Sequence, residues 1–237
     1  MIPRDNRIDF ISAYCDRWCD RCAYTARCSA YACDVAAGMC GDFTQGLELA
    51  LGSSAESEDA DDPADDLDDE DAGVFETAEE LAAIDRFVED SHARVGASPI
   101  TALAFAYTSG ACGWLHAHRE QLSAVADPVL VEALAVAGYD ATFVGAKLYR
   151  ALCGKDQARH ERDADEDRIQ NDWNGSAKVA LISLERSEAA WRTIAQATDD
   201  ALPETIAARA GELRRQVLEE FPDAPSFVRP GFDEPWR

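Results

Sequence analysis

Four cysteines lie within fifteen positions near the start of the chain, in the stretch YCDRWCDRCAYTARC (residues 14–28). They are spaced C-x3-C-x2-C-x5-C, at Cys15, Cys19, Cys22 and Cys28. Thiolates are strong ligands for zinc and for iron–sulfur clusters. In a reducing compartment, closely spaced cysteines are more often metal ligands than structural disulfides. The stretch therefore predicts a metal centre with these four residues as its ligands.

The spacing favours an iron–sulfur cluster over zinc. On a helix, Cys15, Cys19 and Cys22 would share one face with neighbouring Cβ atoms roughly 5–6 Å apart. A single zinc ion draws its sulfurs tightly together and usually uses two C-x2-C pairs, which this stretch does not have. In a [4Fe–4S] cluster each thiolate binds a different iron, so the sulfurs spread further apart. We expect a [4Fe–4S] cluster, with zinc as the alternative cofactor and with Cys33 or Cys40 as alternative ligands in place of Cys28.

The charge of the chain argues against two classes of partner. The formal net charge is -24, and a run over residues 53–73 holds eleven acidic residues with no Lys or Arg. No basic stripe is present that could neutralise phosphates, so we expect neither nucleic-acid binding nor attachment to anionic membranes. The N-terminal residues lack the apolar core of a signal peptide, which predicts a cytoplasmic protein. Its partner would be an unidentified redox protein or another protein.

Composition divides the chain into four parts. Residues 1–52 form a Cys-rich metal-binding segment, and residues 53–73 form an acidic linker that is too polar and too self-repelling to fold. Residues 74–221 carry amphipathic helices. Residues 222–237 hold several prolines and aromatic residues, and we expect this tail to strap across the surface through Phe227, Phe232 and Trp236.

The helical part is read from apolar positions that recur with a period near 3.6. The first stripe is Leu81, Ile84, Val88 and Val95, and a second helix starts at Ser98-Pro99 and runs to Val125. The later helices are expected over Pro128 to Gly138, from Asp140, after Asn174-Gly175, and from Pro203. No alternating strand pattern competes with these stripes. The prediction is an all-α protein: a helical bundle of about five helices, with a small Cys-rich helical segment at the N-terminus.

A weaker signal lies inside this bundle. On a helical wheel, His92, His118, Asp140 and Glu188 fall on inward faces of four helices. Glu89 precedes His92 as E-x-x-H, which resembles the spacing on two helices of ferritin-like diiron proteins. The chain has no second E-x-x-H, and Asp140 is also explained as a helix N-cap. The alternative function is therefore a metal-dependent oxidase that uses Glu89, His92, His118 and Glu188.

The cysteine pattern decides the expected function. The triad C-x3-C-x2-C is similar to that of radical S-adenosylmethionine enzymes, but those enzymes place it after a strand of a β/α barrel, and this sequence predicts no strands. No phosphate-binding or nucleophile-elbow motif is present. We expect electron transfer or redox sensing at an iron–sulfur centre. A zinc ion would instead make the segment a structural staple for a protein-interaction module.

Overall fold

The computed structural model describes residues 6–51, 77–161 and 167–233 of the chain. These residues contain eight α-helices and no β-strand. The helices are α1 (Ser29–Cys40), α2 (Phe43–Leu51), α3 (Ala78–Gly96), α4 (Pro99–Ala117), α5 (Arg119–Ser123), α6 (Pro128–Glu161), α7 (Asp172–Ala197) and α8 (Leu202–Glu220). The prediction of an all-α protein is confirmed. The acidic linker predicted over residues 53–73 and Trp236 of the predicted tail lie outside the described residues.

The chain divides into two compact units. Unit 1 takes the described residues up to Phe87 together with those from Arg229 onwards, and unit 2 is Val88–Val228. The first boundary, between Phe87 and Val88, falls within α3. The second, between Val228 and Arg229, falls after the last α-helix. Unit 1 therefore combines an N-terminal and a C-terminal piece of the chain, and unit 2 lies between them in sequence.

Four long helices build unit 2. α6 packs against α4 and α7, and α8 packs against α7 and α4, so that the four helices close into a ring. The large side chains that are fully buried inside it include Tyr107, Leu148, Leu184, Trp191, Ile206 and Leu213. The inward stripes predicted for α4, α7 and α8 supply most of them. Burial of such side chains is worth roughly 1.5–3 kcal/mol each, which gives this unit a strong hydrophobic core.

Local capping fixes where several of these helices begin. The hydroxyl oxygen of Ser98 accepts a hydrogen bond from the backbone N–H of Thr101 at 3.2 Å, and Pro99 opens α4, as predicted. This helix ends at Ala117, and the segment predicted to continue to Val125 holds the separate short helix α5. α7 begins earlier than predicted because the side chain of Asn171, not of a later residue, caps it.

The prediction of two helices over residues 128–151 is wrong. α6 is one continuous helix, and both Gly138 and Asp140 lie in its interior. A helical glycine costs only about 1 kcal/mol, which is too little to interrupt a helix that packs along its length. Asp140 is not a cap: it is fully buried and accepts two hydrogen bonds from the guanidinium of Arg186, at 2.6 and 3.0 Å.

The predicted inward face of α3 is largely exposed. In α3, Leu81 is 49% exposed and Ile84 is 38% exposed, so the first part of the predicted inward stripe faces solvent. Only Val95, near the end of that stripe, is fully buried.

Within α6, Pro128–Arg159 is long and apolar enough to cross a membrane by length and composition. Core helices of water-soluble proteins meet the same criterion, and α6 packs against two neighbouring helices.

Unit 1 has a different build. α1 and α2 form a helical hairpin whose small core consists of Cys33, Ala36 and Ala50, with Leu47 and Leu51 against it. Gly46 lets the helices approach closely, since a Cβ there would lie 2.5 Å from the backbone nitrogen of Ala37. The segment before α1 is not the predicted α-helix. It consists of turns with two short 3-10 helices, Cys19–Arg21 and Thr25–Arg27.

Candidate metal centre

The four cysteines singled out from the sequence line one small cavity of unit 1. Cys15, Cys19, Cys22 and Cys28 are each half-buried. The other cavity walls include Ile11, Trp18, Tyr31 and Phe232. The cavity volume is about 20 Å³, the room of roughly one water molecule. All eight cysteines of the chain lie within the described residues, and none forms a disulfide.

Backbone N–H groups point at three of the four sulfur atoms. The N–H of Arg17 donates to Sγ of Cys15 at 3.4 Å, and the N–H of Tyr24 donates to Sγ of Cys22 at 3.4 Å. The N–H of Tyr31 donates to Sγ of Cys28 at 3.5 Å. Hydrogen bonds to the sulfurs hold cysteine ligands in position and tune the potential of an iron–sulfur cluster. Arg17 and Tyr24 donate from non-helical backbone, and Tyr31 donates from the first turn of α1, where N–H groups have no carbonyl partner within the helix. Inside the expected α-helix these N–H groups would bond to carbonyls instead.

One residue of this loop has a backbone conformation that is uncommon for its type. Arg17 lies at φ 59°, in the left-handed region, between the first two cysteines. A non-glycine residue pays on the order of 1 kcal/mol for this conformation. Its carbonyl accepts the N–H of Cys19 at 2.9 Å, and its own N–H bonds to Cys15. The left-handed turn at Arg17 therefore links the two cysteines locally and replaces the predicted helical turn.

Cys28 is also held in place by the helix that follows it. It is the N-cap of α1, and its sulfur accepts the N–H of the third residue of that helix. This bond satisfies one of the N–H groups at the helix start that have no carbonyl partner within the helix.

The cysteines also influence one another. The pKa of the Cys19 thiol is raised, mainly by burial and then by the charges of Cys15, Cys28, Cys22 and Asp34. Like charges close together disfavour ionisation of each member. A bound cation would remove this repulsion, and for that reason metal binding to clustered thiols releases protons.

The four sulfurs are not drawn together as the ligands of a single ion. Within residues 6–51, 77–161 and 167–233, no group of three or more His, Cys, Asp or Glu side chains is arranged so that it could hold a metal ion directly. Tetrahedral zinc at 2.3 Å from each ligand requires sulfurs about 3.8 Å apart. The cysteines line a common cavity, but the sulfurs of Cys15, Cys22 and Cys28 accept hydrogen bonds from separate backbone N–H groups.

The two alternative ligands do not line this cavity. Cys33 is buried in the core between α1 and α2, and Cys40 is exposed at the last position of α1. Cys28 therefore remains the fourth cysteine of the site.

The second set of predicted ligands is dispersed over unit 2. Glu89 and His92 are exposed on α3, and the His92 ring lies 5.7 Å from that of Tyr149. His118 stacks on Trp114 with its Nε2 atom 3.7 Å from Oδ2 of Asp200. Their predicted partner Glu188 forms ion pairs with Arg192 at 2.5 Å and Arg214 at 3.6 Å. The structure does not bring these four predicted ligands together, and His92 does not point inward.

The sequence did not indicate that Phe232 lines the cysteine cavity. Phe232 was expected to strap across a surface, but nothing in its neighbourhood indicated that it would line the cavity of residues more than two hundred positions earlier. Phe227, its predicted partner in the strap, is fully buried in unit 2 instead. No local pattern carries such information, since it depends on how the chain returns to its N-terminal segment.

Comparisons with protein-family models, with curated proteins and with solved structures find no match to this chain.

Proposed function

We propose that Cys15, Cys19, Cys22 and Cys28 bind a metal centre, that this centre is a [4Fe–4S] cluster, and that the protein transfers electrons or senses redox conditions in the cytoplasm. The observation that carries the proposal is that four half-buried thiols, from turns rather than from one helix, line the same cavity. Backbone N–H groups directed at three of the sulfurs add to this support.

The placement of the cysteines bears on the choice between a cluster and a single zinc ion. Helical spacing does not decide it, because no α-helix spans the first three cysteines. What supports the cluster is that the sulfurs surround a space without converging on one point. A cubane would require the lining side chains to move outward from a cavity of about 20 Å³, whereas a single zinc ion would require the sulfurs to move inward.

The position of the site suits exchange of electrons with a partner. The cysteines are half-buried, so a cluster there is shielded on one side by Ile11, Trp18 and Phe232 and lies near the surface on another. Partial shielding of this kind is one of the features that set the potential of a cluster. Electron transfer and redox sensing both need such a position.

The test is metal content with an absorbance spectrum, on protein purified without air. We expect about four irons per chain and a broad absorbance shoulder that dithionite bleaches. Cys19→Ser should lose this metal, while Cys112→Ser, a change at an exposed cysteine of unit 2, should keep it. Iron that persists in Cys19→Ser, or a wild-type protein with no bound metal, would refute the proposal.

A zinc staple is the second candidate, and the small cavity favours it. A volume of about 20 Å³ is closer to the size of one ion than to that of a cubane. One zinc per chain with no visible absorbance would establish this alternative, and unit 1 would then be a stapled interaction module. The oxidase hypothesis gains no comparable support, since its four predicted ligands lie apart.

A further inference from the structure

The C-terminal turn, Arg229–Asp233, contributes a wall to the cysteine cavity. Phe232 lines the cavity together with all four cysteines. Its ring packs edge-on against Tyr24, with ring centroids 5.0 Å apart and planes at 82°. Tyr24 lies between Cys22 and Cys28 in sequence, so the aromatic pair joins the turn to the cysteine loop itself.

A glycine seats the turn closely on the N-terminal segment. Gly231 lies at φ 75°, a conformation that favours glycine. A Cβ at this position would lie 3.0 Å from Cδ1 of Ile8 and 3.3 Å from Cδ1 of Ile11. Ile11 is itself a wall of the cavity. Both the conformation and the close approach therefore require glycine beside Phe232.

The turn is also closed on itself. Nη2 of Arg229 lies 2.9 Å from Oδ1 of Asp233, and the backbone N–H of Arg229 donates to the same carboxylate at 3.0 Å. The Arg229 guanidinium lies 5.0 Å from the centroid of the Phe232 ring. These contacts hold the Phe232 side chain in one orientation, so the turn can dock on the cavity as a preformed piece.

We propose that this C-terminal turn is a removable wall of the metal site and controls the access of oxidants, chelators and metal donors to the four thiols. The inference rests on the proposed function, because controlled access matters for thiols that bind a redox centre. The contacts of the turn with the N-terminal segment include the side chains of Tyr24, Ile8 and Ile11. A change at Phe232 or Gly231 should therefore weaken the wall and leave the cysteine loop intact.

The experiment measures alkylation of each cysteine by N-ethylmaleimide in the full chain, with the modified sites mapped by mass spectrometry. We expect Phe232→Ala to speed alkylation of Cys15, Cys19, Cys22 and Cys28 by about fivefold, since it removes an aromatic pair and opens the cavity. Phe232→Leu should have a smaller effect in the same direction. Gly231→Ala should act like Phe232→Ala, because its Cβ displaces the turn.

Controls within the same chain make the result specific. Phe43→Ala removes an exposed aromatic residue of unit 1 that does not line the cavity, and it should leave all rates unchanged. Cys33 is buried in unit 1 and reports unfolding, while Cys112 is exposed in unit 2 and reports the reagent. Equal rates in wild type and Phe232→Ala, or an equal rise at Cys33, would overturn the inference.

Metal content measured on the same samples separates this inference from the proposed function. Faster alkylation in Phe232→Ala with no metal on the wild type would retain the wall and reject the metal centre. On iron-loaded protein, whose coordinated thiols do not react with the reagent, the rate of iron release to a chelator is measured instead, and equal rates in wild type and Phe232→Ala would retain the metal centre and reject the wall.

Discussion

Unit 1 and unit 2 differ most in how many large apolar side chains they bury. Among its described residues, unit 2 encloses many aliphatic side chains and five aromatic ones: Tyr107, Trp114, Trp191, Phe221 and Phe227. Among the described residues of unit 1, Ile11 is the one large aliphatic side chain that is fully buried, and the rest of its core is Cys and Ala. Small units that bury so little apolar surface usually need a cross-link or a metal to be stable.

The two units also differ in how their polar and reactive side chains are used. Unit 2 contains carboxylates, histidines and arginines inside or beside its bundle, but they are mostly used in ion pairs such as Asp140–Arg186 and Glu188–Arg192. Unit 1 concentrates six of the eight cysteines and has an irregular backbone that directs N–H groups at sulfur. The region with the weaker core holds the stronger candidate site.

The largest expected effect is the loss of unit 1 structure when metal is removed. Because metal binding to clustered thiols is coupled to folding, we expect amide hydrogen exchange over residues 6–51 to accelerate by about a hundredfold or more after anaerobic treatment with a chelator. Exchange in α6 and α7 should change by less than about twofold. Equal protection of unit 1 before and after chelation would mean that its small core is sufficient.

A substitution in the core of unit 2 should destabilise unit 2 and leave the metal site of unit 1 unchanged. Trp191→Ala removes a fully buried ring and should lower the free energy of unfolding of unit 2 by about 3–5 kcal/mol, measured by denaturant titration. The metal content should not change. Phe105→Ala, at an exposed aromatic residue of α4, is the matched control and should alter stability by less than about 0.5 kcal/mol. Loss of metal in Trp191→Ala would show that the cysteine site depends on the core of unit 2.

The buried ion pair of unit 2 should come next in size. Asp140→Ala leaves the Arg186 guanidinium without its carboxylate, and we expect a loss of about 3 kcal/mol, because the aspartate is fully buried while the arginine side chain is 28% exposed. Arg150→Ala breaks an exposed pair with Asp172 and should cost less than about 1 kcal/mol. Thermal unfolding of both variants would compare them, and equal losses would show that burial does not decide the outcome.

The smallest effect concerns two helical glycines. Gly113→Ala in α4 meets no atom within 4 Å, so it should stabilise unit 2 by about 0.5–1 kcal/mol through helix propensity. In Gly211→Ala the new Cβ would lie 3.0 Å from Oε1 of Glu188, which two arginines hold in place. This variant should gain less than Gly113→Ala or lose stability. A larger gain for Gly211→Ala would show that the Glu188 carboxylate moves easily.

Helix content, the start of α4 and most of the unit 2 core could be predicted from the sequence, since they follow from short-range periodicity and local hydrogen bonds. Ser98-Pro99 opened α4 as predicted, and Trp114, Leu184 and Leu213 are buried. The break expected at Gly138 did not occur, because packing along α6 outweighs the cost of one glycine. Periodicity also predicted that Leu81 and Ile84 face inward, but both side chains are exposed.

The candidate site was only partly predictable. Residue types and clustering identified Cys15, Cys19, Cys22 and Cys28 as one group, and all four line a single cavity. Helical spacing gave the wrong backbone, because the left-handed turn at Arg17 is not encoded by a glycine or asparagine at that position. The contribution of Phe232 could not be foreseen, since it depends on a contact between distant parts of the chain.

The return of the chain to unit 1 at Arg229 has a consequence for biosynthesis. A ribosome makes the N-terminal residues first, yet Phe232 and Gly231 emerge only after the entire bundle of unit 2 has been translated. The N-terminal part of unit 1 thus waits for its last wall until the middle of the protein has been made. During that interval the cavity of the four cysteines lacks the wall that Phe232 supplies.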